Sequence, residues 1–309
     1  MLIEKIQLWN ERNDVNLYAY LHSDSKEYSK NKKRPAVIIC PGGGYVITSD
    51  CEAEPVAIKF AAAGYQAFIL RYSTYFSNGV VDFKKPAVAN KKVAYPEPLY
   101  DLAKAIITIR ENSLQWLIDP DKITICGFSA GGHLAASLGV HWQADFLQEK
   151  FEVASETLKP NAMILSYPLL DFELMLSMAE PGNLFTAKFR ELSNMAVFGA
   201  AVPDKATMEK VNTVNSVTSQ TPPTFMWHTA DDKQVTVANS LNFASALNKH
   251  QVPFELHVFE SGVHASSLCD ETAAADSSHI NPHCQVWFDL ALKWLKKNNL
   301  SLQWQETKQ

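Results

Sequence analysis

The sequence predicts an α/β protein: a mostly parallel, doubly wound sheet of eight strands, with helices on both faces. Three observations carry this. Short apolar runs without alternation recur along the chain, as in parallel strands buried on both faces. Stretches of helical period separate them. One run, KITICGFSAGGHL at 122–134, passes through a glycine-flanked serine into an Ala-rich segment, which reads as strand, sharp turn and helix.

The chain opens with two apolar-rich runs, 3–8 and 17–22, separated by the polar ERNDVN; the pattern predicts an antiparallel hairpin. After a basic loop at 30–34 comes PAVIIC (35–40), a buried strand that ends in Pro41-Gly42-Gly43-Gly44-Tyr45. A helix is expected over 54–63 with Gly64 as its stop, then QAFILRY (66–72) as a strand. Residues 73–98, with Gly79, Pro86, Pro96, Pro98 and four lysines, form a long irregular connection of the kind that carries function or moves. The next helix sets Leu99, Leu102, Ile106 and Ile109 on one face, with Asp101, Lys104 and Arg110 off it. Asp119-Pro120 punctuates before a strand at 123–126, and the helix beyond the serine runs to Leu138. AMILSY (162–167) is a further strand, ended by Pro168.

Residues 171–223 break the rhythm. Met175, Met178, Phe185, Phe189, Met195 and Phe198 give apolar mass with weak helical period, interrupted at Pro181-Gly182. This reads as a helical cap inserted into a single domain spanning 1–309, with extra core helices as the competing reading. TFMWHT (224–229) and FELHVF (254–259) supply the last strands, flanking a helix that carries Val237, Leu241, Ala244 and Leu247. Residues 282–298 close the chain as an amphipathic helix through Trp287, Leu290, Ala291, Trp294 and Leu295.

With 309 residues, 47% of them hydrophobic, the chain can bury a large core. A net charge of -5 with scattered Lys and Arg offers no footprint for nucleic acid. No apolar stretch approaches the roughly 20 residues of a membrane-spanning helix, and MLIEKIQLWNERND has no signal-peptide core. Five irregularly spaced cysteines read as free thiols in a reducing compartment, so a cytoplasmic location is expected. Cys269, His279, His283 and Cys284 raise the question of a metal. Asn281-Pro282 reads as an N-cap and first helical position, so the two histidines do not share a face and no metal is expected.

The chemistry gathers on the G-x-S-x-G turn, Gly127 to Gly131. A nucleophile on so tight a turn adopts a strained backbone, and its flanking positions must be nearly free of side chains. The Ala130 N–H then opens a helix whose positive end faces a developing oxyanion. The bare pentapeptide also fits a structural turn; its place between strand and helix favours Ser129 as nucleophile. In doubly wound sheets the site forms at the carboxyl ends of the strands. His264, in ESGVH just past the last strand, is the histidine so placed. His257 and His228 lie in or near strands and read as core histidines; His133, four residues past the serine, reads as a packing position. The acid belongs just past the preceding strand, where Asp231 and Asp232 compete. The D-x-x-V reading (Asp232 to Val235) favours Asp232 and leaves Asp231 as a turn residue. Gly42-Gly43-Gly44 can offer further backbone donors, and no Lys-Ser/Thr follows to make a phosphate loop.

Taken together, CPGGGY (40–45), LRYS (70–73), YPEPLYDL (95–102), GFSAGGHLA (127–135), PPTFMWHTADDKQV (222–235) and the GVH before Ala265 resemble the α/β-hydrolase serine esterases of the hormone-sensitive-lipase-like and acetyl-xylan-esterase-like group. The resemblance covers nearly the whole chain from about Pro35. It implies an α/β-hydrolase domain, hydrolysis of short-chain acyl esters, a small-molecule ester as partner and no cofactor. Position by position it makes Ser129 the nucleophile, Asp232 the orienting acid and His264 the base, with the N–H groups of Gly43, Gly44 and Ala130 as oxyanion hole. One departure stands out: the family's usual His before Pro-Gly-Gly-Gly is Cys40 here, which bears on loop geometry more than on chemistry. Feruloyl esters, amides or peptides fit the same triad, and a non-catalytic binding protein is the alternative of another class.

Overall fold

The computed structural model describes residues 1–302 apart from 28–29, 78, 85 and 178–183, so Met178 and the Pro181-Gly182 break lie outside the described residues. Strands β1 (Leu2–Trp9) and β2 (Arg12–Leu21) form the expected antiparallel hairpin. Its turn is tighter than the sequence pattern implied, and most of ERNDVN belongs to β2. Period two explains this: Arg12 and Asp14 share one side of the strand and pair there at 2.7 Å. From there strands and helices alternate, as β3 (Arg34–Cys40), α1 (Glu54–Ala62), β4 (Gln66–Arg71), α2 (Glu97–Glu111), β5 (Ile118–Phe128) and α3 (Ala130–His141). The second half runs α4 (Asp145–Phe151), β6 (Ala162–Ser166), α5 (Phe172–Ser177), α6 (Leu184–Phe198), α7 (Lys205–Glu209), β7 (Thr224–Thr229), α8 (Ala238–Lys249), β8 (Phe254–Phe259), α9 (Pro282–Gln285) and α10 (Trp287–Lys297). The sequence pattern gave no sign of α4.

The eight strands lie in the order β1-β2-β4-β3-β5-β6-β7-β8, and every pair from β4 to β8 is parallel. Alternate side chains feed two cores. Ile38, Phe68, Ile125 and Met163 pack with α2, α3 and α8 on one face, while Val37, Ile39, Phe128 and Trp227 pack with α1 and α10 on the other. Burial on both faces is why these strands read as unbroken apolar runs.

Three further expectations need correction. β5 begins at Ile118, ahead of Asp119-Pro120: Arg34 pairs with Ile118 and Ala36 with Ile123, so the intervening stretch bulges from the ladder. Asp101, expected off the buried face of α2, is 1% exposed. It accepts hydrogen bonds from the Ser73 N–H at 2.8 Å and the Trp9 indole at 2.7 Å, which compensate its burial. The C-terminal helix is broken at Val286, where α9 ends and α10 begins. Among the described residues no helix is long and apolar enough to cross a membrane.

The topology locates a crevice. The chain passes from β3 to β4 on one side and returns to place β5 on the other, so direction reverses between β3 and β5. The loops leaving these two strands open onto a common edge, the position at which ligands bind in such sheets.

Candidate active site

Ser129 follows β5 directly, with φ 51° and ψ -117°. A non-glycine residue holds so unfavourable a backbone only where its surroundings dictate it. The flanking glycines do so by admitting backbone: a Cβ on Gly127 would lie 2.2 Å from the Gly131 carbonyl oxygen, and one on Gly131 would lie 2.0 Å from that of Cys40. Any larger residue would push the strand, the helix and the β3 loop apart.

The three sequence-predicted side chains converge here. Ser129 Oγ lies 2.8 Å from His264 Nε2, and His264 Nδ1 lies 2.7 Å from Asp232 Oδ2. Asp232 Oδ1 accepts the N–H groups of Gln234 and Val235 at 2.8 and 2.9 Å. Both titrating members are buried, at 4% exposure for Asp232 and 8% for His264. Burial disfavours the Asp232 charge, but His264, His228 and the Val235 N–H outweigh it and hold the carboxyl well below its ordinary range. Burial likewise disfavours imidazolium, yet the Asp232 charge and hydrogen bond, with Glu52, leave the His264 pKa raised above its usual 6.5. An imidazole set so is ready to take a hydroxyl proton and hold it. Asp231, the competing carboxylate, is exposed and accepts the Gly262 N–H at 2.9 Å, fastening the histidine loop as a turn residue does.

The histidines weighed above against His264 have other surroundings. His228 is buried, with Nδ1 2.8 Å from Ser240 Oγ and Nε2 2.8 Å from the Val235 carbonyl. His133 is buried between the Tyr45 hydroxyl and the Val211 carbonyl, each 2.7 Å away. His257, expected in the core, is half-exposed and bonded to Glu255 at 2.9 Å, because β8 is the last strand of the sheet. Asn281 caps α9 through the N–H groups of His283 and Cys284, while His279 precedes that helix and pairs with Asp276.

Gly43, Gly44 and Ala130 border one cavity with Ser129 and His264, and its volume is about 310 Å³. Ala130 is the first residue of α3, so its N–H has no acceptor within the helix. Ile47, Leu169, Phe189 and Val235 make the lining largely apolar. Phe189 comes from α6, in the segment expected as a cap, and would stand 2.7 Å from a Cβ on Gly44. Cys40 turns its side chain into the core beneath the loop, and burial pushes its thiol pKa far up. Sequence reading missed Glu52, which lines the cavity and accepts the Gly42 N–H at 2.7 Å. In CEAEP it passes for a first-turn acid of α1, a role that Glu54 fills.

Comparison with known proteins supplies relatives. The BD-FAE family model matches residues 25–247. Endo-1,4-beta-xylanase B of Butyrivibrio fibrisolvens is 32% identical over 256 residues, covering 83% of this chain and 35% of that protein. The chain spans less than half the length of the curated relatives it matches. Among solved structures, the carboxylesterase Cest-2923 from Lactobacillus plantarum superposes with TM-score 0.78 at 25% identity, covering 97% of this chain and 99% of that one. An acetyl ester-xyloside bifunctional hydrolase from Caldicellulosiruptor lactoaceticus does so with TM-score 0.73 at 31% identity, covering 96% and 97%. By strand order, serine elbow and family match alike, the chain is an α/β hydrolase and belongs to the BD-FAE family.

Proposed function

We propose that this chain is a serine carboxylesterase that hydrolyses short-chain, acetyl-type esters, O-acetylated saccharides among them, through an acyl-enzyme. The observation that carries this reading is the unbroken hydrogen-bond chain from Ser129 through His264 to Asp232, opening on an apolar cavity. Ser129 Oγ attacks the ester carbonyl as His264 Nε2 takes its proton. The oxyanion is held by the N–H groups of Gly43, Gly44 and Ala130. The alcohol leaves with the proton from His264, and water, deprotonated in turn by His264, releases the acid from Ser129. Asp232 fixes the imidazole tautomer and steadies imidazolium. Phe189 and Leu169 narrow the cavity, which favours a small acyl group. The acetylated sugar rests on the relatives: the Caldicellulosiruptor lactoaceticus protein is an acetyl ester-xyloside bifunctional hydrolase, and the Butyrivibrio fibrisolvens protein an endo-1,4-beta-xylanase.

The test is hydrolysis of a 4-nitrophenyl ester series from acetate to octanoate, with acetate release from acetylated xylo-oligosaccharides. Activity should be greatest on the short esters, and a serine-reactive phosphonate should label Ser129. Ser129→Ala should lower kcat by at least about 10⁴-fold while the far-UV spectrum stays native. Near-normal turnover by that variant removes the serine from its role.

A further inference from the structure

The cavity contains a buried carboxylate, Glu52, whose hydrogen bonds run to the Gly42 N–H and the Tyr167 hydroxyl rather than to the three triad side chains. Glu52, on the approach to α1, is 1% exposed. Its Oε2 accepts the Gly42 N–H at 2.7 Å and its Oε1 accepts the Tyr167 hydroxyl proton at 2.7 Å. The Tyr167 oxygen in turn accepts the Ser267 N–H at 2.9 Å, three residues beyond His264. The Tyr167 ring also stands edge-on to the His264 imidazole, with centroids 5.0 Å apart. One carboxylate and one tyrosine therefore span from the glycine loop after β3 to the loop that carries the histidine.

The bridge is tight at both ends. A Cβ on Gly42 would lie 2.8 Å from Glu52 Oε2 and 2.9 Å from Ser129 Cβ, so the loop backbone is pressed between the carboxylate and the serine. Tyr167 has φ 36°, a backbone that a non-glycine residue keeps only when its contacts demand it. Those contacts include its own N–H on the Trp227 carbonyl at 2.8 Å and its hydroxyl on Glu52. Burying a carboxylate here is costly. An apolar residue would fill the volume, but it could not accept from both a backbone N–H and a phenol.

We infer that Glu52, acting through Tyr167, is a positioning residue: it sets the separation between the backbone donors of residues 42–44 and the imidazole of His264. The inference rests on the esterase reading above. In that reaction the oxyanion and the proton acceptor must be correctly spaced in the transition state, and a displacement of about 1 Å costs on the order of 10²-fold. The spacing matters less for substrate in its ground state, so loss of the bridge should lower kcat more than it raises KM.

The experiment compares the unsubstituted 309-residue chain with Glu52→Ala, Glu52→Gln, Tyr167→Phe and the Glu52→Ala/Tyr167→Phe double variant. Turnover of 4-nitrophenyl acetate is normalised to sites titrated by the phosphonate, so misfolded protein is not counted. Expected are a kcat about 10²-fold lower for Glu52→Ala, partial recovery in Glu52→Gln, and KM within a fewfold of the unsubstituted protein. The double variant should be no worse than Glu52→Ala, because Tyr167 acts through the same carboxylate. A kcat per titrated site within twofold of normal in Glu52→Ala overturns the inference, as does full additivity in the double variant. If Glu52→Ala does not fold, Tyr167→Phe decides on the same twofold criterion. Failure of the unsubstituted protein to turn over any ester sinks the esterase reading, and this inference with it; normal turnover with unaffected variants sinks the inference alone.

Discussion

His264 and His133 show how surroundings give one side chain two uses. His264 has a carboxylate partner, and the Asp232 charge prevails over burial and raises its pKa. In the proposed mechanism it is the base and must be neutral, so kcat/KM should fall as pH drops through a midpoint above the ordinary 6.5. A pH-rate profile measures this, and Asp232→Asn should move the midpoint down while lowering kcat about 10⁴-fold. Among the described residues no carboxylate pairs with His133, and burial takes its pKa down to about 4. The Val211 carbonyl can only accept, so Nε2 carries the proton and Nδ1 accepts from the Tyr45 hydroxyl. The sign follows by linkage. The unfolded chain binds a proton near 6.5 and the folded one near 4, so stability is complete above 6.5 and falls as pH falls through that window. The loss amounts to about 3 kcal/mol at most. Urea unfolding at pH 7 and pH 4.5 should show a smaller difference for His133→Gln than for the parent, and equal differences would contradict this protonation state.

At the scale of elements, legibility followed burial. Strands β3 to β7 announce themselves because both faces are covered, and FELHVF read the same way although β8 borders the sheet and is half-exposed. The serine, histidine and aspartate that meet in the candidate site stand out in the sequence because glycine spacing and strand ends confine them to few positions. The lining was not legible. Apolar residues at weak period in 171–223 could face a core or a cavity, and only the folded chain brings Phe189 of α6 against Gly44. This contact carries a prediction for the proposed esterase. Phe189→Ala should lengthen the cavity and raise the kcat/KM ratio of hexanoate over acetate at least tenfold, since fewer than two newly buried methylenes at about 0.8 kcal/mol each suffice. The 4-nitrophenyl series reads the ratio directly, and an unchanged ratio would mean that the ring does not limit the acyl group.

Across the whole molecule, polar side chains that the sequence pattern places toward solvent fasten distant segments. Asp101 is the clearest case. Read on a helical wheel it belongs to the wet side of α2, because the wheel cannot know that the hairpin and the start of the 73–98 connection close over that side. In the folded chain its carboxylate accepts from the Trp9 indole, from the Ser73 N–H and from the Ser73 hydroxyl, joining β1, the end of β4 and α2 at one point. Burial pushes its pKa up, while Ser73, Trp9 and the nearby Arg12 oppose the rise. Asp101→Ala strands three donors away from water, which costs on the order of 3 kcal/mol or more. The midpoint of urea unfolding should fall accordingly. Asp101→Asn should recover part of the loss, because one amide oxygen still accepts. Asp101 touches neither the cavity nor the serine elbow, so kcat per phosphonate-titrated site should stay normal in both variants. A midpoint that does not move would mean that water reaches the stranded donors and the hairpin is free to lift; a normal midpoint with a fallen kcat would tie this fastening to the site instead of to the fold.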